Sequence, residues 1–174
     1  MRLLDNHRAL RQSHGVKDSD VNDERPNKET TMTDQGTEQG GFSKTHHFGK
    51  WSRDRFADAV VVTGPQKTIY LSGIGAEDAD ADTVRIRHLG DAAGQARYAH
   101  EKLERLLAEH GATLAHVVKT VAYVTDVRYK SDYAAARVAA YADYELPTHT
   151  MLVITALAHT GMLIEMDVTA VVPA

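Results

Sequence analysis

The chain has 174 residues, 43% of them hydrophobic, and carries a formal net charge of -4. That is enough apolar material for one domain, and too acidic a balance to read as a nucleic-acid surface. It contains no cysteine, which excludes disulfides, thiolate nucleophiles and cysteine metal sites.

Residues 1–45 mix charges of both signs with Asn, Gln, Ser, Thr and Gly, without helix or strand periodicity. Such a composition buries too little apolar surface to offset chain entropy. The reading is a mobile tail over 1–45 followed by one folded domain over 46–174. Within the tail, Arg2 to Gln12 would be helical only against a partner, and Met32 is an alternative start. The beginning has no apolar core of a secretory signal. No apolar run approaches the roughly 18 residues of a membrane span, so a cytoplasmic protein without a membrane partner is expected.

Order is expected from Phe48 to Phe56 onward. Ala59–Val62 and Thr68–Ser72 read as strands, and Gly64-Pro65 between them predicts a hairpin. Ser72-Gly73-Ile74-Gly75 then leads into an acidic loop, Glu77 to Asp82. From Asp91 to His110 the period becomes helical. Ala92, Ala96, Ala99, Leu103, Leu106 and Leu107 make one apolar stripe, with Gln95, Arg97, Lys102, Glu104 and Arg105 mostly off it. Asp91 suits the start of that helix and Gly111 its left-handed end. Val117 to Val124 is a further strand. Ser131 is read as the cap of a second helix running to about Tyr144, with Pro147 as its stop.

The last stretch, Pro147 to Val172, reads as two strands separated by His159-Thr160-Gly161. Side chains alternate along a strand, so Ile164, Met166, Val168, Ala170 and Val172 share an apolar face, while Glu165 and Asp167 lie on the other. In the first of these strands His149, Met151 and Val153 share a face. If the two strands are neighbours, one side of the sheet is core and the other brings His149 near Glu165. The order ββαβαββ gives an α+β fold: a mostly antiparallel sheet with two helices on one face. Nothing remains in the chain to cover the second face, and self-association is the economical cover.

Several segments, in order, resemble the YjgF/RidA family of reactive-intermediate (enamine/imine) deaminases, also labelled endoribonuclease L-PSP proteins. They are Phe56-Ala-Asp-Ala-Val, Ile69-Tyr-Leu-Ser-Gly-Ile, Val117-Val-Lys-Thr-Val-Ala-Tyr-Val-Thr-Asp, Pro147-Thr-His-Thr-Met-Leu-Val and Leu163-Ile-Glu-Met-Asp-Val-Thr-Ala-Val. The resemblance implies a chorismate-mutase-like subunit assembled as a homotrimer, with sites in the clefts between subunits. It also implies hydrolysis of a carbon–nitrogen double bond in a small metabolite. In the family an arginine clamps the substrate carboxylate and a glutamate on the last strand handles water or protons.

The glutamate matches Glu165, but the arginine position holds His149 and an early tyrosine is replaced by Phe56. An asparagine of the family's second helix falls near Arg137. Histidine lacks the fixed charge and paired donors that suit arginine to a carboxylate, so a substrate other than 2-aminoacrylate is expected.

On this reading Glu165 is the catalytic residue, and His149, Arg137, Met151, Phe56 and Gly73 bind substrate. Each also has a plain structural reading: a carboxylate paired at a subunit seam, a hydrogen-bonded histidine, an ion-paired arginine, a packed Met or Phe, a strand-ending glycine. His149, His159 and Glu165 lack metal-ligand spacing, and there is no phosphate loop or nucleophile elbow, so no metal or cofactor is expected. The alternatives are a pathway-specific deaminase or tautomerase, and a non-catalytic metabolite-binding or interaction trimer.

Overall fold

Residues 41–174 are described by the structure, a computed structural model of the chain; the readings placed on Arg2–Gln12 and Met32 lie outside them. The elements are β1 (Ser43–His47), β2 (Ala59–Thr63), β3 (Gln66–Gly75), α1 (Ala92–Glu109), β4 (Val117–Val124), α2 (Lys130–Ala140), β5 (Thr148–Val153) and β6 (Ile164–Pro173). The fold is α+β, with a four-stranded sheet of order β3-β6-β4-β5 and a separate ribbon, β1-β2. Within the four-stranded sheet β6 pairs antiparallel with β3 and β4, and only β4-β5 is parallel.

β6 supplies the centre because its alternation is complete. Ile164, Met166, Val168 and Ala170 are buried while Glu165, Asp167 and Thr169 between them are half-buried. α1 lays Ala92, Ala96, Ala99, Leu103 and Leu107 onto that apolar face. Asp91 caps α1, its carboxylate accepting from Gly94 N, and Gly111 ends it at φ +72°. α2 packs on the same side, where Tyr133 Oη meets Met166 Sδ at 4.0 Å. Burial of this cluster is what fixes the sheet against its helices.

Four expectations from the sequence are corrected. The β2–β3 hairpin does not form, because β1, inside the stretch read as tail or its margin, pairs with β2 along its whole length. Gly64-Pro65 instead turns the chain away, and at Gly64, φ +89°, a Cβ would sit 2.4 Å from the Gly41 carbonyl oxygen, so only glycine fits. Ser131 does not cap α2. Asp126 caps a 3-10 turn over Val127–Tyr129 that runs directly into the helix, which stops at Ala140.

Gln95, placed off the apolar stripe, is fully buried. Its amide donates to the carbonyl of Gly161 at 2.8 Å and accepts from Leu163 N at 2.8 Å, pinning the turn that starts β6. Finally, β5 and β6 are not neighbours. The β4-α2-β5 crossover seats β5 parallel to β4, so β4 stands between them.

Candidate functional site

The crossover decides which side each candidate faces. Cα partners in a sheet direct their side chains to the same face. His149 pairs with Thr120, and Thr120 pairs with Val168, so His149 lies on the helix-covered face. Glu165 pairs with Tyr123 and lies on the uncovered one. The expected meeting of His149 and Glu165 within one protomer is therefore contradicted. They occupy opposite faces, two strands apart. The structure gathers the candidates into two groups instead.

The covered group centres on Arg137. Its residue is only 4% exposed, yet Nε and Nη1 have no hydrogen-bond partner. Nη2 donates to the carbonyl of Arg55. None of the ion pairs among the described residues involves Arg137. Burial pulls its pKa down, against the neighbouring tyrosines Tyr133 and Tyr141. A buried donor left unpaired costs on the order of 1–3 kcal/mol, and a charge costs more. Four residues on, at the C-cap of α2, Tyr141 is 3% exposed and its hydroxyl is also unpaired.

His149 stacks on Tyr133 at 5.5 Å between ring centroids and tilts against Phe56 at 6.5 Å. Its Nδ1 lies 2.8 Å from Thr120 Oγ1 in a hydrogen bond. Burial first, then the Arg137 cation, hold its pKa down to about 3, so the imidazole is neutral near pH 7. Beside Tyr133, His100 is likewise lowered to about 4, chiefly by burial. Met151 lies on the same face as His149 and packs against the core. Phe56 meets Trp51 edge-on at 5.6 Å, placing the Trp51–Phe56 turn over this group.

The uncovered group centres on Glu165. β3 carries a bulge at Ser72-Gly73, where three steps on β3 match two on β6. The bulge brings Gly73 so close that a Cβ there would lie 2.5 Å from Glu165 Oε1. Glu165 forms none of the ion pairs among the described residues. Desolvation first, then Glu77 and Asp167, push its pKa up. A carboxyl so placed exchanges protons closer to neutrality than an exposed one.

Asp167 is occupied structurally: Tyr123 Oη donates to its Oδ2 at 2.9 Å. Glu77 accepts from Gly75 N at 3.1 Å and pairs with Lys102 at 3.0 Å. On this face Tyr70 stands 81% exposed and Leu152 45%.

Sequence reasoning missed Gln95, which positions the start of β6 from across the core, and Tyr133, the ring on which His149 rests. A glutamine one residue before Ala96 of the stripe was the available signal. A surface groove of about 610 Å³ on the outer side of α1, lined by Asp80, Arg87, Tyr98, Glu101, Glu104 and Arg105, includes none of these candidates. Among the described residues no group of three or more His, Cys, Asp or Glu is arranged to hold a metal ion. No helix among them is long and apolar enough to cross a membrane.

Comparison with known proteins bears on the whole arrangement. The pattern of the endoribonuclease L-PSP family matches residues 52–172. No curated protein matches the chain. Among solved structures it is similar to a protein of unknown function of the conserved Rid family, YyfB, from Yersinia pestis. That match has a TM-score of 0.67 at 22% identity over 74% of this chain and 98% of the other. A member of the YjgF/YER057c/UK114 family from Mycobacterium tuberculosis matches with a TM-score of 0.51 at 28% identity, over 75% of this chain and all of the other. RidA from an Antarctic Psychrobacter matches with a TM-score of 0.54 at 23% identity, over 68% and 95%.

Proposed function

Because the chain belongs to the endoribonuclease L-PSP family, the YjgF/Rid group, we propose that it is a hydrolase of the imine/enamine deaminase type. Its site is formed between copies of the subunit in a cytoplasmic homotrimer, and its substrate is a small metabolite other than 2-aminoacrylate. Glu165 is the proton-handling group that activates water for attack on the carbon–nitrogen double bond. Gly73 lines its side of the cleft; His149, Arg137, Phe56 and Met151 orient the substrate from a neighbouring copy.

One observation carries this reading. The Glu165 carboxylate lies against the bare backbone of Gly73 on a sheet face that no helix covers, in none of the ion pairs of the described residues. Its pKa is raised chiefly by desolvation, although Lys102 and His159 act the other way. A strand otherwise devoted to packing has no structural need of an unpaired acid there. General acid–base groups are tuned in this way. The separation of the two groups within a protomer supports assembly: a second copy brings the two together and covers Tyr70 and Leu152.

The test is a panel of 2-imino acids released in situ by an amino-acid oxidase, with decay followed by semicarbazide trapping. The expected result is accelerated loss of at least one imine. Glu165→Gln should slow it by about 10²–10⁴-fold without lowering the melting temperature. No acceleration for any imine, with metabolite binding intact in the variant, would favour the binding-only trimer. That second reading is favoured by the neutral His149, stacked on Tyr133, which offers no fixed charge to a substrate.

A further inference from the structure

Arg137 is a charge that the packing of the described residues does not explain. It is buried to 4% exposure with two guanidinium nitrogens unused, and Tyr141, the residue that ends α2, adds an unused hydroxyl at 3%. No carboxylate of the described residues pairs with it. The groups packed around it are neutral: Tyr133, Tyr141, and the imidazoles of His100 and His149, while Lys119 and Glu104, of opposite sign, reach His149 and Tyr141 from further out. Buried donors of native proteins find acceptors, and a buried cation finds a counter-charge. Here the acceptor is not supplied from within the described chain.

We infer that the interior between α2 and β5 is a receptor for one singly charged oxyanion, a carboxylate, anchored on Arg137 Nε and Nη1 with the Tyr141 hydroxyl beside it. This rests on the reading that the covered face contributes the substrate-orienting half of the site. It adds that the specificity-determining cation acts from the helix, while the strand position is left to a neutral histidine.

The charge count sets the ligand class. One guanidinium balances one negative charge. A phosphate dianion would bring a second charge into an interior where the adjoining groups are neutral and the more distant Lys119 and Glu104 offset each other, and desolvating it would not be compensated. The least buried rings on this side are Phe56 and His149, both half-buried. Arg137 Nη2 already holds the Arg55 carbonyl, so the Trp51–Phe56 turn is tied to the same guanidinium the ligand would engage.

The experiment uses the full chain, with melting temperature and calorimetric titration at constant ionic strength near pH 7.5. The probes are propionate, its neutral counterpart propionamide, and inorganic phosphate. Propionate should raise the melting temperature, propionamide should not, and phosphate should do less than propionate. Arg137→Met should weaken propionate binding about tenfold or more, the effect of losing a charge-assisted pair. Without ligand it should melt no lower than wild type, because an uncompensated buried charge is removed. Arg137→Lys keeps the charge and should retain part of the response.

Equal responses to acid and amide, or an undiminished response in Arg137→Met, would overturn the inference. So would a large drop in the ligand-free melting temperature of both Arg137→Met and Arg137→Lys, since the guanidinium would then be a structural clasp for Arg55. Dissociation of the assembly in Arg137→Met, with no propionate response in wild type, would assign the anion to a neighbouring copy and equally end it. Glu165→Gln should keep the propionate response while losing turnover, so failure of binding and failure of catalysis are read separately.

Discussion

The two faces of one sheet hold opposite electrostatic problems. Under the helices there is a cation, Arg137, to which no acid of the described residues is paired, beside imidazoles kept neutral by burial. On the other face there are acids, Glu165 and Asp167, and the first has no cation bonded to it. A folded domain seldom leaves both kinds of charge unmatched when pairing them would stabilise it. The backbone of the sheet lies between them. The difference is what motivates the proposal that each face meets a group from beyond the protomer.

The sharpest physical contrast is in the response to acid. On the covered face the folded pKa values of His149 and His100 lie near 3 and 4, below the ordinary 6.5. Between those values and 6.5 the unfolded chain binds more protons than the folded one, so stability is full above pH 6.5 and is lost as pH falls toward 4 and then 3. His46 on the ribbon, lowered to about 4 chiefly by burial, adds to the same window.

Glu165 has the opposite sign. Its folded pKa is raised above 4.5, so its contribution is present at low pH and is lost as pH rises through the folded value. Melting temperature measured from pH 7.5 down to 4 should fall steeply in wild type. The fall should be shallower in His149→Gln and somewhat steeper just above pH 4.5 in Glu165→Gln. A flat profile would mean the covered imidazoles titrate normally, and the contrast between the faces would go.

A smaller effect comes from the link between core and open face. Gln95→Ala leaves the Leu163 N–H and the Gly161 carbonyl without partners, a cost of about 1–3 kcal/mol per buried group. Denaturant unfolding should register it, and imine turnover should fall with it because β6 begins there. A variant as stable as wild type would show that water replaces the amide and that the turn is not pinned from α1.

The smallest expected change in stability is at Gly73. In Gly73→Ala the new Cβ meets Glu165 Oε1 and Cδ, the mobile end of a side chain, so the fold should lose no more than about 1 kcal/mol. Turnover should drop several-fold as the carboxylate is displaced. Unchanged turnover would remove Glu165 from the reacting centre.

Much of this fold was legible in the sequence because its signals are local. The valine-rich run marked β4 to the residue, alternation marked β6 to within two residues, and Asp91 and Gly111 marked the ends of α1. The family motifs carried the rest of the architecture. What was not legible depends on pairing. Alternation along β5 tells that His149 and Met151 share a face, but not which face of the sheet that is. The register through Thr120 and Val168 decides it.

A histidine also resists reading by polarity, since a neutral imidazole stacked on Tyr133 behaves as a core residue. β1 was missed because Ser43-Lys-Thr-His-His carries no apolar alternation; it is a strand by virtue of pairing with β2. Gln95 looked solvent-facing because its partners lie 66 and 68 residues away.

The central claim is that acid and cation act together only across two copies of the chain, and subunit mixing tests it most directly. Glu165→Gln and Arg137→Met, each deficient in imine turnover alone, are co-refolded so that mixed assemblies form. The account predicts that turnover reappears, because a junction exists where one copy supplies Glu165 and its neighbour supplies Arg137. Mixed assemblies as inactive as either parent would contradict it.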